Sequence, residues 1–282
     1  MTDTASKGLR FEIKVLSLVT ATDRRARMRT MLDSGKAGPW SFFDARPASE
    51  LTMRYDEIET FRKYGSVMST GEISCAVSHI AIMTEFVGRD DLDYVVVLED
   101  DVFLDPTFDT AATVQALELM GIGYFKLYAR FFVPASYIAS FGRAQLYRFA
   151  WPPCGTQGYI LSKVTAREML AAIARRPSLD LPIDQMMDRY WETGIPIYGV
   201  YPFPLMELNV TTSIHTTAQR GPMDRRNREL QVTEQRGLLV LKQAALREKL
   251  TRRRADLSFR APDRRIQAVA AAHQNEIIRL LN

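Results

Sequence analysis

Three consecutive acids, Glu99, Asp100 and Asp101, follow directly on the apolar run YVVVL at 94–98, within YVVVLEDDVFLDP. Carboxylates repel one another, so gathering them at the end of a hydrophobic run costs stability unless positive charge sits among them. Two chemistries answer that cost. In solvent the acids cap a turn, for which the Leu-Asp-Pro at 104–106 is a suitable continuation. At the carboxyl end of a buried parallel strand they hold a hard divalent cation, Mg2+ or Mn2+, which in turn bridges phosphate oxygens. Strand alternation sends Glu99 and Asp101 to one side and Asp100 to the other.

Other reactive side chains stand in recognisable patterns. Glu72, Cys75 and His79 in GEISCAVSHIAIMTEFV share one helix face, away from Ile73, Val77 and Ile80. On that face Glu72 orients His79 through a hydrogen bond, or the two form a local pair in solvent. Asp184 follows Pro182 at a helix start, where the helix N-terminus stabilises a carboxylate.

These groups need a frame to hold them. FEIKVLSLV (11–19) reads as a buried strand and DRRARMRTML as the helix after it, capped by Asp23. YVVVL has no polar face to offer water and is a central strand. WSFFDA, YFKLYA, QLYRFA, GYILS and PIYGVYP are further strands. Helices are expected at 165–175, opened by Thr165 and Glu168 in capping-box spacing, and at 183–192. Strands alternating with helices predict an α/β fold with a mainly parallel central sheet.

Composition narrows the class. The 282 residues, 46% hydrophobic and 25% charged, are enough for one large core and match a soluble globular protein. No run approaches the ~20 apolar residues of a membrane span, and MTDTASKGLR lacks the apolar region of a secretory signal. Cys75 and Cys154 have no framework spacing, which predicts a reduced, cytoplasmic protein. Residues 220–282 carry 15 Lys/Arg against 7 Asp/Glu, a net charge of +8, leaving −4 on residues 1–219. This tail reads as helical, with an apolar stripe of Ile266, Val269, Ala270, His273, Ile277 and Leu281 and with His273 structural. Its arginines form a solvated face, a nucleic-acid patch or an attraction to an anionic membrane. The aromatic platform that single-stranded nucleic acid needs is missing, so no nucleic-acid partner is expected.

Taken in order, GEISCAVSHIAI, VVVLEDDV, GTQGYILSKVTAREML and LPIDQMM resemble glycosyltransferase family 25, the bacterial lipooligosaccharide galactosyltransferases and their collagen-modifying relatives. The resemblance covers roughly residues 11–215. It implies a single GT-A-like nucleotide-sugar-binding domain, taken over 1–219, and does not account for the basic helical extension that the charge pattern marks over 220–282. It also implies a Mn2+ or Mg2+ cofactor and transfer with inversion from a UDP-sugar donor, galactose above all. The implied acceptor is a lipid-linked lipooligosaccharide or lipopolysaccharide core sugar at the cytoplasmic face of the inner membrane.

Residue by residue, LEDD resembles the family's metal-binding acidic motif, with Asp101 as direct ligand, Glu99 beside it and Asp100 on the donor. His215 in TTSIH stands where such enzymes recruit a late metal ligand. LSLVTATDRR matches the family's first loop with Ser17 in place of asparagine. Arg24 and Arg25 there face the diphosphate or decorate a helix start. Glu72 and His79 point at the donor pocket, and Gly155, Thr156 and Gln157 resemble the segment lining the donor sugar. Asp184 becomes the base that deprotonates the acceptor hydroxyl, or remains a helix cap. The alternative to an enzyme is a silent nucleotide-sugar or glycan-binding protein of the same fold.

Overall fold

The computed structural model describes residues 9–34, 36–208, 217–234, 246, 248–255 and 260–281. An eight-stranded sheet crosses the molecule in the order β2-β1-β3-β8-β5-β9-β7-β6. Its strands are β1 (Phe11–Ser17), β2 (Trp40–Asp44), β3 (Tyr94–Glu99), β5 (Tyr124–Lys126), β6 (Ala135–Phe141), β7 (Ala144–Phe149), β8 (Gly158–Ser162) and β9 (Tyr198–Tyr201). A separate ribbon pairs β4 (Val102–Leu104) with β10 (Leu205–Glu207).

The sheet is mixed. β1 runs parallel to β2 and β3, and β5 parallel to β9, whereas β8 and β7 are antiparallel to every neighbour. The remaining six strands therefore point one way, so the expectation of a mainly parallel sheet holds for strand direction. β4, β6 and β10 have no counterpart in the sequence reading, because each shows too short or too polar a run.

The continuous apolar run of β3 is explained by burial on both faces. Val96 and Leu98 join Ile13 and Val15 in one core, while Val95 and Val97 join Leu16 in the other. The second core is covered by α3 (Thr70–Val87) and α5 (Lys163–Ala174), through Ala76, Ile82, Phe86 and Met169. The first is covered by α4 (Thr110–Met120) and by two C-terminal helices, α9 (Arg260–Ala272) and α10 (Gln274–Leu281), which contribute Ile266, Ala270 and Ile277. The basic tail is thus docked by its apolar stripe. Arg148 Nη1 also meets Asp263 Oδ2 at 2.7 Å, tying α9 to β7. Within the same tail, α8 (Thr217–Glu234) rests on α2 (Glu57–Tyr64), where the Arg226 guanidinium donates to Glu57 Oε2 at 2.9 Å.

Several local expectations are corrected. α1 (Thr22–Ser34) begins before Asp23, which lies in the first turn instead of capping it. α5 starts at Lys163 and is capped by Ser162, whose hydroxyl accepts from Thr165 N, because that serine already has the extended backbone of a cap. The helix expected over 183–192 splits into α6 (Ile183–Asp188) and α7 (Tyr190–Thr193), since Arg189 leaves the helical region. His273 is not an apolar-stripe residue: it turns out of the core and meets Glu276 at 3.2 Å. Cys75 and Cys154 are free thiols. Among the described residues no helix is long and apolar enough to cross a membrane.

Candidate functional site

β1 and β3 are neighbours in register, so their carboxyl ends, Ser17 and Glu99, open on the same side of the sheet. The strand ends at Glu99, and the chain turns over Asp100 and Asp101. The strict alternation expected of the three acids therefore fails beyond the first. They diverge towards three different sets of partners.

Asp100 faces the first loop. Its Oδ2 accepts from the Ser17 hydroxyl at 2.5 Å and its Oδ1 meets Arg24 Nη1 at 3.0 Å. Burial pushes its carboxyl up, against the pull of Ser17 and Arg24. Arg25 is held at the start of the helix. It braces the β1–α1 turn, donating to Leu18 O at 3.0 Å, to Ser17 and to Asp44.

Glu99 faces α3. Its Oε1 accepts from Thr156 Oγ1 at 2.6 Å and lies 3.5 Å from His79 Nε2. Burial raises its carboxyl, but the nearby His79 imidazole and the Thr156 hydroxyl outweigh that and hold it below its ordinary value. His79 is fully buried, and its Nδ1 is hydrogen-bonded to Tyr159 OH at 2.9 Å. The expected Glu72–His79 hydrogen bond is therefore replaced. Glu72 instead closes a capping box with Ser69, its Oε2 accepting from Ser69 N at 2.7 Å. Cys75 sits one turn before His79, and the ligand atoms of Cys75, His79 and Glu99 lie within 4.8 Å of one another.

Asp101 is the unusual member. Its Oδ1 is buried and has no hydrogen-bond partner. Burial, then the carboxylates of Glu99, Asp100 and Glu207, push it up to about 7. Glu207 arrives through the β4–β10 ribbon and is absent from the sequence reading, which had no signal for it. It accepts from Tyr128 OH at 2.7 Å, Arg130 Nη2 at 3.3 Å and Gln157 Nε2 at 3.4 Å.

The segment 154–157 forms the floor. Gly155 has φ +81°, and an added Cβ would strike Gln157 Oε1 and Tyr128, so glycine is required there. Its N–H donates to Asp184 Oδ2 at 2.9 Å, and Asp184 Oδ1 accepts from Gln185 N at 2.8 Å. Beneath, the buried Lys126 ammonium donates to Gly155 O and meets Asp188 Oδ2 at 3.3 Å. Asp188 also accepts from Cys154 N at 2.8 Å and from Tyr124 OH at 2.6 Å. Burial raises its carboxyl, opposed chiefly by Lys126. Lys126 and Asp188 escaped the sequence reading, although a lysine inside YFKLYA and an acid one turn after Asp184 were signals.

Ser17, Arg24 and Asp100 form one bonded group, Glu99, Thr156 and His79 a second, Gln157 and Glu207 a third, and Asp184 with Gly155 a fourth, while Asp101 joins them through charge alone. Glu72 and Arg25 support the frame, and His215 lies outside the described residues. The orphaned buried oxygen of Asp101 and the negative charge around it suit a hard cation, whereas the ligand atoms gathered within 4.8 Å among the described residues are those of Cys75, His79 and Glu99.

Residues 11–187 match the model of glycosyltransferase family 25, described as an LPS biosynthesis protein. Among curated relatives, the chain is 27% identical over 247 residues to the lacto-N-neotetraose biosynthesis glycosyltransferase LgtE of Neisseria gonorrhoeae, covering 80% of this chain and 85% of the relative. It is 30% identical over 190 residues to LgtB of the same organism, covering 61% and 65%. It is also 26% identical over 183 residues to the lipooligosaccharide biosynthesis protein lic2B of Haemophilus influenzae, covering 61% and 68%.

Proposed function

The chain belongs to glycosyltransferase family 25, and on that premise we propose that it transfers a hexose, galactose from UDP-galactose, to a core sugar of lipooligosaccharide or lipopolysaccharide with inversion at the anomeric carbon. The observation that carries the metal-dependent reading is the buried, unpartnered Oδ1 of Asp101 among like charges. A site that repels its own ionised members is relieved by a proton or by a cation, and near neutral pH a divalent cation meets that need while serving the diphosphate.

Asp101 and Glu99 would hold Mn2+ or Mg2+, with His215 as a further ligand. Once bound, the cation neutralises charge on the departing diphosphate. Asp100, set by Ser17 and Arg24, lies beside them on the donor side. Gly155, Thr156 and Gln157 line the donor sugar, the glycine letting the backbone approach closely. Asp184 accepts the proton of the attacking hydroxyl from the face opposite the leaving group. Its hydrogen bond to Gly155 N keeps that base against the floor of the site.

The acceptor is lipid-linked, and the tail supports work at the cytoplasmic face of an inner membrane. Arg253, Arg254, Arg264 and Arg265 are exposed, on a segment of net charge +8. The test is donor hydrolysis across a panel of UDP-sugars: UDP release with Mn2+, lost in EDTA and in Asp101→Asn, with galactose the preferred donor. Hydrolysis indifferent to EDTA would overturn the metal-dependent reading.

A further inference from the structure

A cleft of about 610 Å3 lies beside the floor segment, between the loop after β5, the loop after β7 and the helical stretch 248–255. Two walls are stitched together, since Phe131 N donates to Pro153 O at 3.1 Å and Ala150 N to Pro134 O at 2.9 Å. Phe131, Phe132, Trp151 and Trp191 supply its apolar surface. Phe132 is 86% exposed and meets the Tyr201 ring edge to face, with ring centroids 5.5 Å apart, so most of its apolar surface stays open to solvent. The polar side comes from Arg189, Glu248 and Arg252, with Arg189 Nη1 meeting Glu248 Oε1 at 3.1 Å. Arg252 lies over the Trp151 ring, 3.6 Å from its centroid. Of the triplet 252–254, this arginine is turned inward.

We infer that this cleft is the acceptor subsite and takes an oligosaccharide. The inference rests on the transferase reading above and adds where the second substrate binds. A pyranose has an apolar C–H face and a rim of hydroxyls. Aromatic rings bury the first and charged side chains bond the second, whereas an acyl chain would strip water from three charged groups without replacing it. The volume falls in the range of about 300–1,000 Å3 usual for small-ligand sites. Position carries the rest. Cys154 and Gln185 line the cleft, and they are the chain neighbours of Gly155 and Asp184. The aromatic wall therefore lies next to the segments that carry the candidate base and the floor glycine. Arg252 is the gate, because a sugar stacking on Trp151 must displace it from that face.

Saturation-transfer NMR on the full chain with UDP and Mn2+ tests this, using three probes: the trisaccharide GlcNAcβ1-3Galβ1-4Glc, lactose and maltotriose. At least one probe should bind, with affinity falling about tenfold or more in Phe132→Ala and in Trp151→Ala. Phe132→Tyr and Trp151→Phe should retain binding, which separates lost stacking from lost folding. Binding unchanged in both alanine variants, or no binding of any probe to a wild-type protein that hydrolyses UDP-sugar, would overturn the assignment. Saccharide binding that needs the rings, in a protein that hydrolyses no UDP-sugar, would leave the cleft standing and remove the transferase reading beneath it.

Discussion

Asp101→Asn should raise the melting temperature of the metal-free protein while abolishing its response to metal. Burial and three neighbouring carboxylates lift Asp101 from the ordinary 3.8 to about 7. Between those values the folded chain holds a proton that the unfolded chain has released, so stability falls as pH rises through that window and stays low above it. At about 1.36 kcal/mol for each tenfold change in proton affinity, the cost at pH 8 has a ceiling of about 4 kcal/mol. Relaxation around the site leaves a fraction of that. A chain of this size shifts by about 2–4 °C per kcal/mol, so the variant in EDTA at pH 8 should melt several degrees above the wild type. The gap should close as pH falls towards 4, where the unfolded chain is protonated too. With Mn2+ at a hundred times its Kd the wild type should gain about 2.7 kcal/mol, and the variant nothing. Differential scanning fluorimetry from about pH 4 to 8, in EDTA and in MnCl2, reads all of this. A variant that melts below the wild type in EDTA at pH 8, or one that keeps the Mn2+ shift, would refute the reasoning.

Asp184→Asn retains a carbonyl to accept from Gly155 N but removes the base, so transfer should fall by about 10²–10⁴-fold with UDP binding little changed. A collapse of donor affinity at normal saturated rate would make Asp184 a donor-site residue instead. Asp180 is buried with Lys63 and Arg176, and although burial raises its carboxyl, those partners hold it below the ordinary value. Asp180→Asn should cost about 3 kcal/mol at pH 7 in urea unfolding. Because the folded value is depressed, the difference from wild type should be constant near neutrality and shrink as pH drops below about 4; a gap unchanged at pH 3 would refute it. Reversing the exposed Arg253 and Arg254 to Glu should weaken salt-sensitive flotation with anionic liposomes, each basic residue contributing about 1 kcal/mol near the surface. Equal binding of wild type to neutral and anionic vesicles would leave the tail a purely structural element.

Most of the strands were legible because β3 and β8 are buried on both faces and burial on both faces writes an apolar run, while β1 keeps Glu12 and Lys14 within an otherwise mostly apolar strand. The chemistry-bearing residues were legible for a similar reason: acids massed at the end of such a run, or a glycine-threonine-glutamine before GYILS, violate what a plain core would choose. What could not be read was the direction in which each side chain points once its strand has ended. Glu99, Asp100 and Asp101 are consecutive, yet α3, the first loop and the β4–β10 ribbon each claim one of them. Glu207 carries no local mark, since its role exists only because β10 pairs beside Val102. Glu72 matched a helix-face pattern with His79, but a cap three residues away satisfied it first. The tail divides the same way. Its charge and apolar stripe are properties of the chain, whereas its docking on α4 and β6 and the turn of Arg252 onto Trp151 depend on surfaces up to about a hundred or more residues distant, which no local pattern encodes.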